Sequence, residues 1–188
     1  MTLIPTDPPL AEPVTLAELK AHLRIDAGDE DTLLEGLIRV ARAHLEAVTG
    51  VALISQGFRL LLDDWPPGGV IHLLKTPVQT IDAILLYDSD GVEQTLDLSG
   101  LVLDGAAHPA RLMVRQRPTA GQPINGIEIE FTAGFGSGAE VPPELKRAVL
   151  IHAAYLYEFR GAVTPDMQPA AIPPGYDRLI APWLRRAL

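Results

Sequence analysis

Residues 29–50 have the sequence DEDTLLEGLIRVARAHLEAVTG, and this stretch decides the fold because it predicts a long amphipathic helix. Its three leading acidic residues place negative charge where the helix dipole is positive, and Gly50 supplies a C-terminal stop. We therefore predict a helix over residues 29–49. The residues expected to face a core are Leu33, Leu34, Leu37, Ile38, Ala41, Leu45 and Val48.

A shorter helix is predicted just before this one, over residues 15–26. Thr15 and Glu18 have the spacing of a capping box, in which the hydroxyl and the carboxylate each accept a backbone N–H at the helix start. Leucines at 16, 19 and 23 follow on one face, and the helix is expected to stop before Gly28.

Residues 52–133 change to alternating and β-branched sequence, which predicts an antiparallel β unit inserted between helices. Residues 127–131 alternate strictly, so one face of that strand is expected to be buried and the other wet. Residues 88–91 predict a hairpin turn in which Asp90 and Gly91 supply positive φ angles. The predicted strands are Phe58–Leu62, Val70–Leu73, Ile81–Tyr87, Val92–Leu96, Leu101–Leu103, Arg111–Val114 and Gly126–Thr132.

A third helix is predicted over residues 143–160, because Pro142 and Pro143 preset its first turn. It is apolar nearly all round, which indicates cover on more than one side, from its own core or a neighbouring subunit. Prolines and glycines exclude a helix over 161–175. The predicted fold is α+β: a small helical bundle with an inserted β unit as one domain over 1–160, and a C-terminal arm with a terminal helix over 161–188.

Composition excludes several classes of protein. With 188 residues, 47% hydrophobic and 21% charged, the chain is expected to be one folded domain, with neither a membrane span nor a signal sequence. The absence of cysteine excludes disulfides, thiolate zinc sites and a cysteine nucleophile. A net charge of −9 argues against a broad nucleic-acid-binding face, which needs clustered Lys and Arg.

The residues that usually carry chemistry have no productive spacing. The five histidines lie far apart and form no metal-binding motif, and we expect His152 to be a hydrogen-bonded core residue. None of the four serines lies in a nucleophile elbow, and the glycines at 134, 136 and 138 lack the following residues of a phosphate loop. We therefore predict no catalytic residue, no cofactor and no metal site.

The C-terminal segment combines features of a protein interface. Trp183, Arg185 and Arg186 belong to the residue types enriched at interfaces, and they follow a proline-rich connector in a chain that is otherwise acidic. Two interpretations remain open at this point. The segment either docks into a partner or folds back on its own subunit.

The order of motifs along the chain resembles a known family. They are VTLAELKAHLR at 14–24, DED at 29–31, AVTG at 47–50, LDDWP at 62–66, the strand Ile81–Tyr87 with Asp90-Gly91, FTAGFG at 131–136, VPPELKRA at 141–148 and LIAPW at 179–183. In this order and spacing they are similar to the head-tail connector (adaptor) family of long-tailed bacteriophages and phage-like gene transfer agents.

The resemblance implies a structural virion protein without a cofactor or a reaction. Such subunits form a ring, usually of twelve copies, beneath the portal of a DNA-filled capsid, and a tail-side stopper or tail terminator protein follows. DNA passes through the lumen without specific binding, and no membrane is involved. The implied location is the particle neck, after assembly in the bacterial cytoplasm.

The resemblance also implies which residues meet partners. The apolar residues all round the third helix separately predict a subunit interface at Tyr155, Leu156 and Phe159. Residues 165–175 are the expected arm. Deleting 176–188 is expected to leave a folded, soluble subunit, because the first three helices and the β unit retain their own core, and to prevent attachment to DNA-filled heads. The expected portal-facing residues are Tyr176, Arg178, Leu179, Ile180, Trp183, Leu184, Arg185 and Arg186.

Two alternatives remain, and the first of them belongs to another class of protein. A small soluble enzyme or ligand-binding protein would need a pocket in the β unit with convergent polar residues. A tail-completion or stopper protein would be a structural neighbour in the same assembly.

Overall fold

The computed structural model describes residues 1–159 and 172–184. The chain forms a β unit from residues 1–10 and 55–135, and a helical unit from residues 11–54 together with the segment from 136 onward. The mixture of helices and antiparallel sheets confirms the predicted α+β class. None of the helices in these two ranges has both the length and the apolar character needed to cross a bilayer.

The helical unit contains the three predicted helices and a short fourth one. They are α1 (Leu16–Leu23), α2 (Asp31–Thr49), α3 (Pro143–Glu158) and α4 (Tyr176–Ile180). Helix α1 ends three residues before the predicted boundary because Arg24 adopts a left-handed conformation with φ of 59° and caps it. Helix α4 packs against α3. The helical unit thus includes α4, whereas the sequence predicted a domain boundary at residue 160.

The predicted capping signals of α1 and α2 are present. The Thr15 N–H donates to Glu18 Oε2 at 2.7 Å, and the Glu18 N–H donates to Thr15 Oγ1 at 3.1 Å. Gly50 has φ of 77°, and its N–H donates to the carbonyl oxygen of Glu46 at 3.1 Å. A residue with a Cβ adopts this conformation only at a cost, so Gly50 fixes the end of α2.

The core-facing residues predicted on α2 divide into two groups. Leu34, Ile38, Ala41 and Leu45 are buried as expected. Leu37 is half-buried, whereas Leu33 and Val48 are exposed, which corrects that part of the prediction. Leu33 lies about 100° around the helix from Leu34, so its side chain points away from the buried face.

The helical unit also holds a buried ion-pair network. Arg42 donates from Nε to Glu12 Oε2 at 2.7 Å and from Nη1 to Glu46 Oε2 at 2.8 Å. The other carboxylate oxygen of Glu46 accepts the Leu53 N–H at 2.9 Å. Glu46 is buried, so these bonds supply the partners that its charge requires away from water.

The β unit contains two antiparallel sheets. The first has five strands in the order β1-β2-β8-β4-β5, and the second has three in the order β3-β7-β6. All seven predicted strands are present. The strand predicted at Val70–Leu73 has the predicted ends, and the other six differ from the prediction at one or both ends. The strands are β1 (Thr2–Asp7), β2 (Gln56–Leu62), β3 (Val70–Leu73), β4 (Val78–Tyr87), β5 (Glu93–Thr95), β6 (Val102–Asp104), β7 (Ala110–Met113) and β8 (Ile127–Ala133).

Strand β1 was not predicted from the sequence. It lies at the edge of the five-stranded sheet and pairs antiparallel with β2, with Thr2 opposite Leu61. Most of its side chains are exposed and Pro5 interrupts its backbone donors, which only an edge strand tolerates. Backbone pairing rather than an apolar pattern makes it a strand.

The hairpin between β4 and β5 is present, with one difference in its backbone. Asp88 Oδ1 accepts the N–H groups of Asp90 and Val92, each at 2.9 Å. Gly91 has φ of 79°, whereas Asp90 does not have a positive φ. The prediction that both residues take positive φ is therefore wrong, because the Asp88 side chain closes the turn with Gly91 alone in the left-handed region.

Strand β8 shows the predicted alternation, with one exception on its expected wet face. Ile127, Ile129 and Phe131 are buried, but Glu128 is buried as well. Its Oε1 lies 2.6 Å from Arg59 Nε on β2, and its Oε2 accepts from the Tyr87 hydroxyl on β4 at 3.0 Å. Neighbouring strands thus cover this carboxylate, because β8 is the central strand of its sheet.

Candidate assembly surfaces

The predicted portal-facing residues lie in α4 and directly after it. Their burial divides those that the structure describes into two sets. Tyr176 and Ile180 are almost fully buried in the helical unit. Their side chains are core residues of their own subunit, which corrects their assignment as surface contacts. The physical reason is the packing of α4 against α3, which places one side of this short helix in an apolar environment.

The other four predicted portal-facing residues that the structure describes are at least partly accessible. Arg178 and Leu184 are exposed, and Leu179 and Trp183 are half-buried. Arg185 and Arg186 lie outside the described residues. The structure therefore leaves one side of α4 and residues 181–184 accessible to another chain.

Three aromatic rings meet where α2, α3 and α4 pack together. The ring centroids of His44 and His152 are 5.0 Å apart, and Tyr176 lies 5.3 Å from His152 and 6.0 Å from His44. In the described part of the chain, His44 Nε2, His152 Nδ1 and the Tyr176 hydroxyl are buried without a hydrogen-bond partner. The expectation that His152 is hydrogen-bonded in the core is thus wrong for this nitrogen.

Burial in this cluster shifts the pKa values of His152 and Tyr176 toward their neutral forms. Burial, with a smaller contribution from His44, lowers the pKa of His152 to about 4. Burial, with a smaller contribution from Asp177, raises the pKa of Tyr176 to about 12. Both shifts follow from the cost of a charge in an apolar environment, so His152 and Tyr176 are uncharged at neutral pH.

We expect the stability of the helical unit to depend on pH through His152. Its pKa is lower in the folded chain than the ordinary value of 6.5, so protonation favours the unfolded chain. The stabilisation is complete above pH 6.5 and is lost as the pH falls toward 4, by about 3 kcal/mol in all. Urea unfolding at a series of pH values measures this loss.

The matched variants are His152→Phe, which removes the titrating group, and His22→Phe, which removes an exposed one. The difference in stability between the native chain and His152→Phe is expected to change by about 3 kcal/mol across this pH window. The His22→Phe variant is expected to follow the native chain. Equal pH profiles for the native chain and His152→Phe would show that His152 is not shifted.

The C-terminal end of α3 carries the residues predicted to meet a neighbouring subunit. Tyr155 and Leu156 are half-buried, and Phe159 is exposed. The ring centroids of Tyr155 and Phe159 lie 4.4 Å apart, so the two rings are in direct contact. This end of α3 is therefore an ordered apolar surface, and its role as a subunit interface stays a prediction.

The helical unit has an open depression of about 660 Å³ beside Glu18, His22 and Arg147, whereas the two depressions described for the β unit are smaller. Within residues 1–159 and 172–184, no three His, Asp or Glu side chains are grouped closely enough to hold a metal ion. In the β unit, one depression beside Val70 and Met113 has a volume of about 220 Å³, and another beside Asp7 and Asp82 has about 230 Å³. Both fall below the roughly 300 Å³ at which ligand pockets usually begin.

Comparison with known proteins identifies the family. A model of the phage gp6-like head-tail connector proteins matches residues 13–107. No curated protein matches the chain. The matched region starts just before α1 and extends through most of the β unit.

Three solved structures match the whole chain, each with coverage of 100% of this chain and 98% of the other. They are the neck of an empty gene transfer agent particle computed with C6 symmetry (35% identity, TM-score 0.83), the virion of a native gene transfer agent particle (36%, 0.83) and the neck of a native particle computed with C12 symmetry (36%, 0.78). These chains are structural components of particle necks and virions. On the family match and this full-length similarity, the chain belongs to the gp6-like head-tail connector family.

Proposed function

We propose that the chain is a structural connector subunit that forms a ring beneath the portal and joins the DNA-filled head of a phage-like particle to its tail. The observation that carries this proposal is the full-length similarity to a chain in a particle neck computed with C12 symmetry. It supports a ring of identical subunits, usually twelve, rather than an enzyme. Assembly would take place in the bacterial cytoplasm, and the final location would be the virion neck.

Charge supports a role as a passage for DNA. Each copy carries a net charge of −9, and a ring repeats this charge around its lumen. DNA phosphates are repelled by such a surface, because binding them requires clustered basic residues. DNA would therefore pass without being held.

The accessible side of α4 supports a contact with the portal. Arg178 and Leu184 are exposed beside the half-buried Leu179 and Trp183, so this surface offers both apolar area and positive charge. Arg185 and Arg186 extend the positive charge, and carboxylate or carbonyl groups are their natural acceptors. In this proposal Tyr176 and Ile180 anchor the segment to its own subunit.

Two further contacts complete the proposal. The end of α3, with Tyr155, Leu156 and Phe159, would contact the neighbouring copy in the ring. The opposite side of the ring would receive a tail-side stopper or tail terminator protein. The alternative of a tail-completion or stopper protein places the same chain further from the head.

The experiment is deletion of the gene for this chain in a strain that produces the particles. We expect DNA-filled heads and separate tails, with joining restored by a plasmid copy of the gene. Cryo-electron microscopy of the restored particles is expected to show the chain as the ring next to the portal. A ring separated from the portal by another protein would favour the stopper alternative, and normal joining without the gene would refute the connector role.

A further inference from the structure

The outer face of α2 is apolar although it points away from the core of the helical unit. On this helix the buried residues Leu34, Ile38, Ala41 and Leu45 share one face. The opposite face carries Leu33, Gly36, Val40, Ala43 and Ala47, of which Leu33 is 41% and Val40 54% exposed. A surface helix of a monomer normally presents charged and polar residues there.

The spacing of these residues suits a packed helix. Positions 33, 36, 40, 43 and 47 alternate by three and four, which is the pattern of a seam between two helices. A Cβ added at Gly36 would meet nothing within 4 Å, so this part of the seam is open. Gly36 leaves space between the larger Leu33 and Val40, and Ala43 and Ala47 leave space beyond Val40, for side chains of a partner.

A ring of more than two identical subunits needs two different lateral surfaces on each copy. A surface that pairs with itself closes a dimer, whereas a ring requires one surface to meet another one on the next copy. The end of α3 provides one candidate surface. Ile151, Tyr155 and Phe159 are spaced by four, so they form a ridge of large side chains along α3.

We propose that the outer face of α2 in one copy receives the α3 ridge of the next copy, and this inference rests on the proposed ring. The two surfaces are complementary in size, because the α3 ridge is built from large residues and the α2 face has the small residues Gly36, Ala43 and Ala47 on either side of Val40. Both are apolar, so their contact removes exposed apolar surface from water on each side. The contact is heterologous, as ring closure requires.

Disulfide cross-linking tests this contact directly, because the chain has no cysteine of its own. The double variant Val40→Cys with Phe159→Cys is supplied to the gene-deletion strain, and purified particles are oxidised mildly. A disulfide needs Cβ atoms about 4 Å apart, so it reports only residues in contact. We expect a ladder of covalent oligomers that extends beyond the dimer on a non-reducing gel.

The matched control is Arg39→Cys with Phe159→Cys. Arg39 is exposed and adjacent in sequence, but it lies 100° around the helix from Val40. We expect this pair, and each single cysteine variant, to stay monomeric. A ladder from the control, dimers from Val40→Cys alone, or only monomers from the Val40 pair in joined particles would overturn the proposal.

A second pair of variants covers the case in which the cysteine pair does not assemble. Val40→Glu is expected to abolish joining of heads to tails while the purified subunit keeps its thermal stability, and Arg39→Glu is expected to retain joining. Normal joining with Val40→Glu would contradict the proposed contact. If the native gene copy itself fails to restore joining, the proposed connector function is refuted rather than this interface.

Discussion

A chain that ends at Gly175 is expected to lose about 4 kcal/mol of unfolding free energy, which is a large part of the roughly 5–15 kcal/mol available to a domain. The deletion removes Tyr176 and Ile180, which are almost fully buried in the helical unit. Truncating one buried aromatic or aliphatic side chain usually costs roughly 2–5 kcal/mol. The unpartnered Tyr176 hydroxyl returns part of that cost, because its burial without a hydrogen bond is unfavourable by roughly 1–3 kcal/mol.

Urea unfolding of the truncated and full-length chains measures this effect. The first control is Tyr176→Phe, which is expected to be at least as stable as the native chain because it removes only the unpartnered hydroxyl. The second is a chain that ends at Leu184, which keeps every residue of α4. Equal stability of the truncated and full-length chains would show that α4 is a dispensable arm, as expected from the sequence alone.

The second large effect is expected from Leu184→Asp, which we predict to lower the yield of joined particles by about 100-fold, equivalent to ~3 kcal/mol. Leu184 is 38% exposed, so an aspartate there is solvated in the free subunit and changes its stability little. In the proposed portal contact the same carboxylate would be buried without a partner. The cost recurs at every copy in the ring.

The matched control for this variant is Ile172→Asp. Ile172 is 39% exposed, close to the exposure of Leu184, but it lies before α4 and outside the proposed portal surface. Electron microscopy is used to count joined particles, and a thermal melt of each purified subunit checks folding. Joining at the native level with Leu184→Asp, or an equal loss with Ile172→Asp, would show that Leu184 does not make a specific portal contact.

Local signals in the sequence predicted most of the elements. The Thr15–Glu18 capping box and Gly50 fixed helix ends, because caps involve residues within one turn of each other. The alternation in β8 and the Asp88–Gly91 turn predicted strands and a hairpin for the same reason. The motif order predicted the connector family, and the comparisons confirm that assignment.

The sequence therefore determined the elements and the family, and the tertiary structure decided which residues are buried. Strand β1 exists because its backbone pairs with β2 from more than 50 residues away, which no local pattern predicts. Glu128 alternates as an exposed residue but is buried by Arg59 and Tyr87 on the adjacent strands. His44, His152 and Tyr176 come together only through the packing of three helices, because burial depends on long-range contacts that sequence spacing does not encode.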